Sequence, residues 1–81
     1  MRIEYTPKGV CAHKMIIETN DDKVITSVRV IGGCAGNLLG ISKLLTGMPV
    51  EEVIETLSGT RCKSKPTSCP DQIAEALKQA L

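Results

Sequence analysis

The sequence predicts an α+β fold: an antiparallel sheet of about three strands, followed by three helices packed on one face. Three observations predict it. Before residue 32, apolar and polar residues alternate with a period of two, the signature of half-buried strands. From Leu38 onward the apolar residues recur at three- and four-residue spacing, the signature of amphipathic helices. No internal repeat, linker or low-complexity segment interrupts this order, so residues 1–81 read as a single domain.

Each element has its own signal. Ile3 and Tyr5 alternate with polar residues as far as Pro7, which predicts a short edge strand. After a turn at Lys8-Gly9, the run Ala12 to Thr19 predicts a second strand, and Asn20-Asp21-Asp22 a tight turn. In Lys23 to Ile31, Val24, Thr26, Val28 and Val30 occupy one face while Ser27 and Arg29 occupy the other; β-branched alternation makes this the strongest strand signal. The two longer strands are expected to pair as a hairpin. Leu38, Ile41, Leu45 and Met48 then predict a helix over about Gly36 to Thr46, closed by Gly47, with Gly40 marking close packing. Pro49 suits the first position of a second helix, whose stripe is Val50, Val53, Ile54 and Leu57 and whose wet face carries Glu51, Glu52 and Glu55. Ser58-Gly59 stops it, and Thr60 to Ser68 is a polar, basic loop. Cys69-Pro70-Asp71-Gln72 opens a last helix that turns Ile73, Leu77 and Ala80 inward, with Asp71 serving the helix dipole.

Composition narrows the function classes. A chain of 81 residues has room for one core, and folding buries only about 60% of the surface such a chain exposes when unfolded. That core is aliphatic, because Tyr5 is the sole aromatic residue. Small, light cores usually need a staple, whether covalent, metallic or oligomeric. The net charge is +1, with acids and bases interspersed and no row of stacking rings, so nucleic acid is not an expected partner. No apolar stretch is long enough for a membrane span, and residues 1–5 lack the pattern of a secretory signal. The expected compartment is the cytoplasm, where disulfides are rare and cysteines more often serve metal or redox chemistry. Exposed edge strands and a small core also leave room for a homodimer. No Ser/His/Asp set, phosphate loop or paired-carboxylate motif points to catalysis by this chain alone.

The four cysteines therefore carry the functional expectation. Cys11 precedes the first hairpin strand and Cys34 follows the second, so a turn near Asp21 brings both to the hairpin's open end. Cys34 also precedes a helix and Cys69 starts one, where free N–H groups and partial positive charge favour a thiolate. Cys62 lies in the basic loop near Cys69, and His13 stands two positions after Cys11, on the same face of a strand. Arg61, Lys63, Lys65 and Lys14 are positioned to offset thiolate charge. Against this stands the ordinary role of cysteine as a small buried hydrophobe. Four at element junctions argue the other way, although none forms a C-x-x-C pair and the spacing is not that of a zinc finger.

Thr67-Ser68-Cys69-Pro70-Asp71, together with Gly32-Gly33-Cys34-Ala35-Gly36-Asn37, resembles the TSCPD domain family across nearly the whole chain, in its short four-cysteine stand-alone form. More distantly, the chain resembles the C-terminal domain of adenosylcobalamin-dependent ribonucleotide reductases. That likeness implies a link to deoxyribonucleotide synthesis, with such a reductase or another protein as partner, and supplies no mechanism. The order Cys11, Cys34, Cys69 is also similar to U-type iron–sulfur scaffolds, but His13 stands where those have Asp, Ser68 where they have His, and Cys62 has no counterpart.

The leading expectation is a metal-binding accessory domain in which Cys11, Cys34, Cys62 and Cys69 hold zinc, with His13 as a substitute ligand or neighbour. The runner-up is a thiol–disulfide module working through Cys62 and Cys69 and delivering reducing equivalents. An iron–sulfur cluster carrier comes third.

Overall fold

The centre of the fold is a hairpin formed by β2 (Ala12–Thr19) and β3 (Ile25–Gly32), with β1 (Arg2–Tyr5) paired antiparallel to β2, so the sheet order is β1-β2-β3. These strands are followed by α1 (Ala35–Leu45), α2 (Val50–Leu57) and α3 (Cys69–Ala80). The α+β expectation holds, element for element. The structure is a computed structural model that describes residues 1–32, 35–61 and 66–80.

Met15 and Ile17, on the inner face of β2, are fully buried, and β3 sets Val30 and Val28 opposite them. Ile3 and Tyr5 of β1 pair with Ile17 and Met15 and pack against the same cluster. The helices cover this face. α3 contributes Ile73 and Leu77, α2 Val50 and Val53, and α1 Leu45. Removing one large aliphatic side chain from water stabilises the fold by about 2 kcal/mol. A core without Phe or Trp thus depends on many residues of similar weight.

β3 departs from the expected face in a way that has a physical cause. Ile25 is 1% exposed while Thr26 is exposed, the reverse of the even-numbered face read from alternation. Glu18 pairs with Ser27 but Thr19 pairs with Ile25, leaving Thr26 without a partner across the ladder. That extra residue is a β-bulge, and it shifts the burial phase by one. Val28 and Val30 stay inside, and Val24 lies just outside the strand.

The hairpin turn is tied by the Asn20 side chain within it and by backbone bonds to the α1–α2 connection. Asn20 Oδ1 accepts from the N–H groups of Asp22 and Val24, and Lys23 adopts φ 59°. The Lys23 carbonyl accepts from Val50 N–H, and Ile25 is bracketed by bonds to Gly47 and Met48. The α1–α2 connection therefore runs along the start of β3. Pro49 is the N-cap of α2 and not its first residue, a one-position difference from the expected start. Gly40 is exposed, and a Cβ added there would meet nothing within 4 Å, so it does not mark close packing. Among the described residues, no helix is long and apolar enough to cross a membrane.

Candidate functional site

The first turn of α3 gathers a set of side-chain bonds. Ser68 is its N-cap: the carbonyl accepts from Gln72 N–H at 2.9 Å and the hydroxyl oxygen accepts from Asp71 N–H at 3.2 Å. The same hydroxyl donates to the Thr60 carbonyl at 2.7 Å. The Asp71 carboxylate accepts from Gly59 N–H at 2.7 Å and from the Thr67 hydroxyl at 2.5 Å. Thr67 Oγ1 in turn accepts from Gln72 Nε2 at 2.9 Å. Gln72 Oε1 receives the Tyr5 hydroxyl at 3.1 Å and Lys8 N–H at 3.0 Å.

These bonds form a clasp. They close the loop between Thr60 and Ser68 and hold the β1–β2 loop against the start of α3. Gly9, at φ 71°, lies so near Thr67 that a Cβ there would be 3.4 Å from Thr67 Cγ2. The Thr67 hydroxyl, followed by the Gly59 N–H, holds the Asp71 pKa below its ordinary value. The helix dipole alone does not account for Asp71, whose carboxylate is also a tie between loops. Ser-x-x-Asp at residues 68–71 is the sequence signal for half of a capping box. No local pattern announces Gln72, whose partners lie 64 and 67 positions away.

Cys69 occupies the first position of α3, half-buried at the margin of the core. Cys11 is exposed, one residue before β2. Ala12 is buried between Cys11 and His13, which both face solvent, as alternation predicts. His13 sits at an irregularity of its own, because Ala12 pairs with Gly32 and Lys14 with Ile31, leaving His13 as the extra residue. Gly32 has φ 85°, and a Cβ there would come within 2.5 Å of His13 Cδ2. Only glycine fits both that backbone and that neighbour. Lys14, expected to offset thiolate charge, instead lies 2.8 Å from Glu4. Its hydrogen bond and charge, with Arg2 adding to them, lower the Glu4 pKa.

Cys34 and Cys62, like Lys63 and Lys65, lie outside the described residues. Among the described residues, no three His, Cys, Asp or Glu side chains are grouped so as to hold a metal ion, so Cys11, His13 and Cys69 do not make a three-ligand set. What the described residues do share is the clasp, which joins the segment leading to Cys11, the segment leading to Cys62 and the turn that begins with Cys69.

The family model that matches the chain is the TSCPD domain, over residues 1–81. The chain belongs to the TSCPD domain family. Neither a curated protein nor a solved structure matches it. In this TSCPD domain, three of the five residues of the naming motif are members of the clasp: Thr67, Ser68 and Asp71. Pro70 stands at the second helical position, where a missing N–H costs the helix nothing. Cys69 supplies the motif's thiol.

Proposed function

We propose that this TSCPD protein is a small metal-binding accessory domain in which Cys11, Cys34, Cys62 and Cys69 hold a zinc ion, with His13 beside the site or replacing a thiolate. The observation that carries this reading is the clasp. Side-chain bonds from Thr67, Ser68, Asp71 and Gln72 tie two cysteine-bearing segments to the helix start that bears Cys69. Cys34 stands in sequence between Gly32, which pairs with Ala12, and Ala35, the first residue of α1.

The donor chemistry fits. Four thiolates satisfy tetrahedral zinc without an open position, as a structural site requires. Zinc held this way contributes on the order of 10 kcal/mol to apparent folding stability, a large supplement to an aliphatic core of this size. A ribonucleotide reductase, or another protein of the same cytoplasmic compartment, is the partner that the family likeness favours. No catalytic step is assigned to this chain.

The test is elemental analysis of protein purified without chelator, beside a thiol count. Stoichiometric zinc and four slowly alkylated cysteines are expected; absent metal with four freely alkylated thiols overturns the reading. One observation favours a second reading, a reversible Cys62–Cys69 disulfide. The Ser68 hydroxyl donates to the Thr60 carbonyl, which joins the residue just before Cys69 to one two positions before Cys62. A disulfide with a potential near that of cytosolic dithiols, in metal-free protein, would support it. An iron–sulfur cluster would instead give a coloured, cysteine-dependent chromophore on anaerobic reconstitution.

A further inference from the structure

Gln72 is 8% exposed, on a helix face otherwise given to Ile73, Ala76 and Leu77. A buried amide in such a place needs its hydrogen bonds satisfied, and it returns little net stability for them. Its bonds do more than satisfy it. Oε1 accepts from the Tyr5 hydroxyl and Lys8 N–H, on both sides of the turn out of β1, while Nε2 reaches Thr67, two residues before Cys69. Lys8 is three residues before Cys11.

We propose that Gln72 is a positioning residue that fixes the Cys11-bearing loop against the Cys69-bearing start of α3, so that the two thiols address one site. The meaning of that site rests on the metal reading; the coupling between the segments does not. An apolar side chain of the same size would fill the space but release the loop. Glutamate keeps an oxygen for Tyr5 and Lys8, and so retains the tie to the loop while changing the contact with Thr67.

The coupling is tested without metal, in a Cys34→Ser/Cys62→Ser background that leaves Cys11 and Cys69 as the thiols. A short bismaleimide is added, and mass spectrometry gives the ratio of intramolecular cross-link to single alkylation. Gln72→Met is expected to lower the ratio about tenfold, the effect of two lost hydrogen bonds on the population of the tied state. Gln72→Glu is expected to stay within about twofold of the parent, because it keeps both acceptor bonds. No cross-link in the parent, or an unchanged ratio in Gln72→Met, overturns the proposal. Should Gln72→Met fail to fold, Tyr5→Phe removes one bond and is expected to lower the ratio about threefold; equality with the parent is again fatal.

Zinc affinity of the four-cysteine chain, read by competition with a chromophoric chelator, separates the two claims. If the chain takes up no zinc but the cross-link ratio falls in Gln72→Met, the metal reading fails and the coupling stands. If zinc binds and Gln72→Met changes neither affinity nor ratio, the coupling fails and the metal reading stands.

Discussion

The two ends of the β2–β3 hairpin are built differently. At the turn, Asn20 organises the local chain, and backbone bonds from Lys23 and Ile25 fasten it to the segment from Gly47 to Val50. At the open end, the neighbouring loops are fastened by side chains: Thr67, Ser68, Asp71 and Gln72. Backbone bonds survive most substitutions, whereas a side-chain clasp is only as secure as its least replaceable member. The open end, next to Cys11, is thus held by bonds that single mutations can remove.

Four substitutions probe that contrast. Ile73→Ala empties a fully buried position of the main core cluster and is expected to cost about 3 kcal/mol of stability in urea denaturation. It sets the scale for global loss and should not favour one end over the other in amide exchange. Gly32→Ala forces a Cβ onto the His13 ring in a left-handed backbone conformation, at a cost of about 2 kcal/mol or more. Adding His13→Ala should return the steric part and leave the backbone part; a double-mutant cycle with no coupling would contradict the close approach.

Asp71→Asn is expected to cost about 1 kcal/mol or less at neutral pH, because the amide keeps one acceptor for Gly59 or Thr67 and loses the other in a site that water partly screens. Because the folded-state pKa of Asp71 is lowered, its contribution is fully present above the unfolded value of about 3.9 and is lost as pH falls through the folded value. Wild type should therefore lose more stability than the Asn variant on acidification below about pH 4. Equal acid slopes would remove Asp71 from the clasp. Lys23→Gly, at the turn, should change stability by roughly half a kcal/mol or less, since relief of positive φ opposes the added chain entropy. A large loss there would mean that the turn depends on its side chain after all.

Much of the fold is legible from spacing. The stripe of α2, the shared face of Val28 and Val30, and the start of α3 at Cys69 all follow from periodicity and punctuation. The bulges are not, for a simple reason. Ile25 and Thr26 are both β-branched, so either alternation phase reads equally well, and the bulge that turns Ile25 inward goes with its backbone bonds to Gly47 and Met48, which lie far along the chain. Nothing local marks His13 as an extra residue either, since its displacement depends on a glycine paired from the other strand.

The candidate site divides along similar lines. Cys11 before β2 and Cys69 at the head of α3 stand where local signals put them. The ties between their segments depend on Gln72 and Lys8, which no short pattern connects. Lys14, assigned by sequence position to the thiol rim, is drawn to Glu4 across the β1–β2 pair. Charges close in sequence to a site are not always close in purpose.

Tyr5 is the chain's sole aromatic side chain, and its hydroxyl ends on Gln72. All intrinsic near-ultraviolet emission from this molecule therefore originates at the clasp. Loosening of that corner can be followed without any label, and told apart from melting of the whole by comparing tyrosine fluorescence with far-ultraviolet dichroism.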